Sequence, residues 1–145
     1  NGEKLLKSMF HEEKPIIAIF TYATGDKCLS KDWWKQLYSE IKNFEDNYNI
    51  LEILPVENVS QIDFMAKTYY SRDIREIASV MYNLKIFIGA DSGMMHLANS
   101  SNVTTIGLFS VTEIKFYGVY GDKNININTD NKDINFIINS IKERI

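Results

Sequence analysis

Ile16–Phe20 is an unbroken apolar run, Ile-Ile-Ala-Ile-Phe, and it narrows the fold more than any other feature of the chain. A strand with one face in water alternates apolar and polar residues. A strand without alternation must be covered on both faces, as in a parallel sheet sandwiched between helices. Most apolar runs in this chain give way to residues at helical spacing. After a polar loop, Trp34, Leu37, Tyr38, Ile41 and Phe44 recur at offsets of 3 and 4, one stripe of a helix. Ile50–Leu54 reads as a second strand, stopped by Pro55. Val59–Lys67 reads as a short helix. Ser71 is a suitable cap for a helix whose stripe is Ile74, Ile77, Ala78 and Met81. Lys85–Ile88 is a further strand, Met94–Ser100 a helix and Val103–Phe109 a strand. Ile125 and Ile127 alternate with asparagine, as on an edge strand, and Ile134, Ile137, Ile138, Ile141 and Ile145 share one face of a last helix.

Strand–helix alternation with right-handed crossovers predicts a Rossmann-like parallel sheet with helices on both faces. Ligands in such sheets sit beyond the carboxyl ends of the strands. The loops expected there are 22–31, 55–60, 89–93 and 110–121.

At 145 residues the chain is one domain. A composition of 45% hydrophobic and 24% charged residues excludes intrinsic disorder. The net charge of -3 argues against a nucleic-acid face. A single cysteine, Cys28, excludes an internal disulfide, and with only two histidines, His11 and His96, a zinc site is not expected. The apolar runs are strand-length, so neither a transmembrane segment nor a signal peptide is expected. The chain begins Asn1-Gly2, which reads as a piece of something longer whose missing part precedes it.

Gly89–Ala98 runs from a strand through a tight turn into a helix. The first helical amides, near Ser92 to Met94, lack intrahelical acceptors and favour an anion. Gly93 lets a phosphate or sugar approach the backbone, Asp91 could accept from sugar hydroxyls, and His96 stands one turn into the helix. The plainer alternative is that Asp91 or Ser92 only caps the helix and His96 belongs to the core. In the first loop Thr24, Gly25, Lys27 and Lys31 could serve a diphosphate, although neither a Walker motif nor G-x-G-x-x-G is present. A solvated loop is the alternative there. Glu57, after the second strand, is placed to hold a ribose diol or to be a surface acid. The Tyr69-Tyr70 pair and Tyr117 with Tyr120 could stack on a base or simply pack. Gly89-x-Asp91-x-Gly93 also fits a nucleophile elbow, but no histidine arrives from a late loop to serve it. Without an Asp-x-Asp pair, a metal holding the diphosphate is not supported, so no metal or other cofactor is expected.

The segment GADSGMMHLA, residues 89–98, resembles the D-S-G-x-x-H-L-A signature of the lipopolysaccharide heptosyltransferases, which use ADP-heptose. VTTIGLFSVT, KDWWKQL and SRDIREIASVMYNLKIFIGA resemble flanking parts of the same family. The resemblance implies a two-domain GT-B glycosyltransferase, with residues 14–145 as its C-terminal, donor-binding half and residues 1–13 as an N-terminal extension or interdomain segment. It implies inverting transfer of a sugar, by default heptose, without an essential metal, to a lipopolysaccharide or lipid A-core acceptor bound by the missing half. That half would carry the catalytic base, so the fragment alone would be inactive. Lys31 would contact the donor diphosphate, Glu57 the ribose, and Asp91, Ser92 and Gly93 the diphosphate and sugar, with His96 in support. The implied location is cytoplasmic, or peripheral at the inner membrane. The competing readings are a non-catalytic Rossmann-like binding module and one half of a nucleotide-sugar epimerase. A phosphorylatable receiver domain is disfavoured, because Thr21-Tyr22 stands where its clustered acids belong.

Overall fold

A computed structural model describes residues 2–25, 28–90, 92–109, 124–129 and 133–145. Lys27, Asp91 and the loop of residues 110–121, with Tyr117 and Tyr120, lie outside them. The elements run α1 (Gly2–Met9), β1 (Ile16–Phe20), α2 (Lys31–Ile41), β2 (Asn49–Ile53), β3 (Lys67–Tyr69), α3 (Ile74–Tyr82), β4 (Ile86–Ala90), α4 (Gly93–Ser100), β5 (Thr104–Phe109), β6 (Ile125–Asn128) and α5 (Ile134–Arg144).

The strands form one sheet in the order β3-β2-β1-β4-β5-β6, with every neighbouring pair parallel. β1 is central, and Ile17 sits between Ile50 of β2 and Ile86 of β4. All five residues of β1 are buried, as the missing alternation requires. Ile16, Ala18 and Phe20 join one core layer, with Leu6 of α1, Ile77 and Val80 of α3 and Met95 of α4. Ile17 and Ile19 join the other, with Trp34 and Leu37 of α2 and Ile137 and Ile141 of α5. The chain therefore leaves β1 toward one face and β4 toward the opposite face. The strand order reverses between them, which opens a crevice at their carboxyl ends.

Two local readings need correction. Residues 59–67 are not a helix: they make turns that lead into β3. Asn58, Asp63 and Phe64 have φ of 55°, 53° and 58°, a left-handed backbone that cannot propagate a right-handed helix. Ile62 is buried there without helical periodicity. The cap of α3 is Asp73 rather than Ser71: its carboxylate accepts from the Arg75 and Glu76 amides. Ser71 Oγ instead accepts from the Asp73 amide at 3.0 Å, one turn earlier in the approach to the helix.

Residues 2–9 form a helix laid against α3. The Gly2 amide donates to Ser79 Oγ at 2.8 Å. A Cβ on Gly2 would fall 2.3 Å from the Ser79 carbonyl oxygen, so only glycine permits this approach.

Candidate functional site

A cleft of about 490 Å³ opens beyond the carboxyl ends of the central strands. Phe20 and Ile77 form part of its apolar lining, and four separate segments supply walls. Tyr22–Thr24 comes from the end of β1, and Pro55–Glu57 from the end of β2. Ser71, Arg72 and Ile74 come from the approach to α3, and Ser92–Met94 from the start of α4.

The turn into α4 is fixed by Ser92. Its hydroxyl donates to the Ala90 carbonyl at 3.0 Å and accepts from the Met95 amide at 3.3 Å. One side chain thus closes the turn and caps the helix, leaving the amides of Gly93 and Met94 without intrahelical acceptors. A Cβ on Gly93 would meet nothing within 4 Å, so open space adjoins its backbone. Arg72 is the cation among the described cleft residues and Glu57 the carboxylate; both are exposed. The site thus offers a guanidinium and helix-end amides to an anion, an acid to hydroxyl donors, and Val56, Ile74 and Ile77 as apolar surface.

Of the residues singled out in the sequence, Thr24, Glu57, Ser92 and Gly93 line this cleft together. Lys31 does not. Its Nζ lies 3.2 Å from Asp63 Oδ1, while Lys35 reaches Asp63 Oδ2 at 2.6 Å. Hydrogen bonds from Lys35 and then Lys31 hold the Asp63 carboxyl below its ordinary range. Gly25 is exposed with φ of 56°, outside the lining. His96 is exposed on α4 and is neither a core histidine nor a lining residue. Lys27 and Asp91 lie outside the described residues, although Asp91 immediately precedes Ser92. Arg72 and Ser71 were not expected in the site, whereas Tyr22 and Met94 belong to the two segments that the sequence placed there. Arg72 follows an edge strand, and only the strand order carries it over the end of β1. Tyr70 does not stack in the cleft: its hydroxyl donates to the Val56 carbonyl at 3.0 Å. Among the described residues, no three of His, Cys, Asp and Glu gather as a metal site. Among the same residues, no helix is long and apolar enough to cross a membrane.

A six-stranded parallel sheet with a crevice where its order reverses defines a Rossmann-like α/β domain. The chain belongs to glycosyltransferase family 9 (heptosyltransferase), whose family model matches residues 3–143. Among solved structures, E. coli heptosyltransferase WaaC with ADP is similar at a TM-score of 0.73 and 15% identity, covering 99% of this chain and 48% of that one. E. coli ADP-heptose lps heptosyltransferase II is similar at a TM-score of 0.77 and 12% identity, covering 97% of this chain and 49% of that one. A family 9 glycosyl transferase from Veillonella parvula gives a TM-score of 0.68 at 16% identity, covering 90% and 39%. The chain thus spans about half the length of the two E. coli enzymes. A search of curated proteins found no match.

Proposed function

We propose that this domain is the C-terminal, donor-binding half of an inverting GT-B glycosyltransferase. In the intact protein it holds a nucleotide sugar, by default ADP-heptose, for transfer to a lipopolysaccharide acceptor. The observation that carries the reading is the crevice itself, in a chain of this family. It sets Arg72 and the open end of α4 on its walls with Glu57. In this reading the diphosphate lies against the Gly93 and Met94 amides and the Arg72 guanidinium. Glu57 accepts from the ribose hydroxyls, and the apolar wall of Val56 and Ile74 takes the base. Asp91 adjoins the sugar. Lys31 and Lys27 serve the diphosphate from the first loop; Lys31 does so by exchanging Asp63 for phosphate. That exchange is easy, because an exposed ion pair contributes little to stability. His96 supports α4 from outside the cleft. Protein groups neutralise the diphosphate without an essential metal.

Titrating ADP and UDP into the chain while recording amide chemical shifts tests this. ADP is expected to move Thr24, Glu57, Arg72 and Ser92–Met94; spectra unmoved by either nucleotide would overturn the assignment. Arg72→Gln removes one charge-assisted contact and should weaken ADP binding roughly tenfold or more. In the full-length protein, Asp91→Asn and Lys31→Ala should each depress sugar transfer. Wild-type rates in both would remove those two residues from the site. Product analysis with the intact protein separates transfer from epimerisation.

A further inference from the structure

We propose that Glu52 is a positioning residue of the nucleotide cleft, joining the loop after β1 to the loop after β2 so that two of its walls are set as one unit. The proposal rests on the nucleotide-binding reading of the cleft. Glu52 sits within β2 and is 0% exposed. Its two oxygens go to different loops: Oε2 accepts from Thr21 Oγ1 at 2.9 Å, and Oε1 accepts from Ser60 Oγ at 2.8 Å. Thr21 leads directly into the wall Tyr22–Thr24, and the wall Pro55–Glu57 lies on the segment between Glu52 and Ser60.

Both partners of Glu52 are hydroxyls whose other bonds are set by the backbone. Ser60 Oγ accepts from the Ile62 and Phe64 amides, both at 3.1 Å, which occupies both lone pairs and leaves only its proton to face Glu52. Thr21 Oγ1 accepts from the Gln61 amide at 3.0 Å and turns its proton to Glu52. Two donors therefore converge on one side chain. A carboxylate accepts from both; a neutral acid or an amide can keep the Ser60 bond and give its own proton to the lone pair that Gln61 leaves open on Thr21, whereas an apolar side chain loses both. The same hydroxyls hold the Gln61–Phe64 turn, where Asp63 and Phe64 carry left-handed backbone.

Burying a charge without a cation is unfavourable, and here the partners are hydroxyls. A leucine or valine would suit the strand and the core at no such cost. What the acid provides in exchange is a tie between two loops that the sheet alone leaves separate.

The test uses Thr21→Val, Ser60→Ala, their double variant, Glu52→Leu and Glu52→Gln in this chain, read by amide hydrogen exchange, ADP affinity and melting temperature. Thr21→Val should speed exchange at Ile62 and Phe64, whose own acceptor is intact, by roughly tenfold, and Ser60→Ala should do the same at Tyr22–Thr24. Each should weaken ADP binding about fivefold, and the double variant little more than either alone, because one tie is cut twice. Glu52→Leu should weaken ADP binding as the hydroxyl variants do, and Glu52→Gln, which can keep both partners, should restore it to within about twofold of wild type, a rescue that follows the hydrogen-bonded tie rather than the packing. If each change loosens only its own loop, or if ADP binds all variants as it binds wild type, the positioning role is overturned and the nucleotide reading stands. If wild type binds no ADP, the nucleotide reading falls and this role with it.

Discussion

Gly93 and Gly2 are both glycines that matter, for opposite reasons. Space beside Gly93 is empty, and space beside Gly2 is filled by α3. Gly93→Ala should therefore leave the melting temperature unchanged while lowering ADP affinity by roughly an order of magnitude, read by calorimetry, as the methyl would stand where the proposed reading puts the phosphate. Equal affinity would show that the ligand keeps away from this backbone. The corner at Ser92-Gly93 was legible in the sequence because strand, tight turn and helix follow one another within a few residues. Arg72 was not legible, since no spacing rule tells that the approach to α3 passes over the end of β1. Glu52 was missed for a related reason: one acid in a strand reads as a solvent-facing residue, and its burial depends on hydroxyls 31 and 8 residues away. Lys31, expected at the end of the first loop, begins α2, and a turn that the sequence did not disclose brings Asp63 to it.

Elements with a visible period or an unbroken apolar run were readable, and those without were not. The stripes of α2 and α5 are the faces that bury, and Trp34 is wholly enclosed, so Trp34→Ala should cost about 3–5 kcal/mol in denaturant unfolding. β3 has three residues, too few for a period, and the apolar residues before it imitate a helix. Ser71 and Asp73 are both good caps two residues apart, and sequence cannot rank them. α1 was hidden because residues 1–13 lie before the first apolar run that reads as a strand, yet Leu6 is buried with α3. Gly2→Val should lift this helix from α3. Hydrogen exchange should then accelerate across residues 3–9, with a loss of about 1–3 kcal/mol. Protection equal to wild type would show that the close contact with Ser79 is dispensable.

For the molecule as a whole, one buried acid ties stability to pH. Burial raises the Glu52 carboxyl above its ordinary range, with the Ser60 and Thr21 hydroxyls pulling it back in part. A folded-state value above the unfolded one means that the native state prefers the neutral acid. Its contribution is fully present below the unfolded value and lost as pH rises through the folded one. Wild type should therefore gain melting temperature relative to Glu52→Gln as pH falls through that interval from neutrality; a constant difference would contradict it. The crevice has a wider consequence. Its walls come from four stretches of chain that meet only after the sheet has assembled, so no peptide cut from this sequence would inherit it. Whatever enters the native crevice cannot follow the chain when it melts, and tight occupants must delay melting in proportion to the logarithm of their concentration. A heating curve recorded against a panel of nucleotides would thus rank them by affinity, with the protein serving as its own reporter.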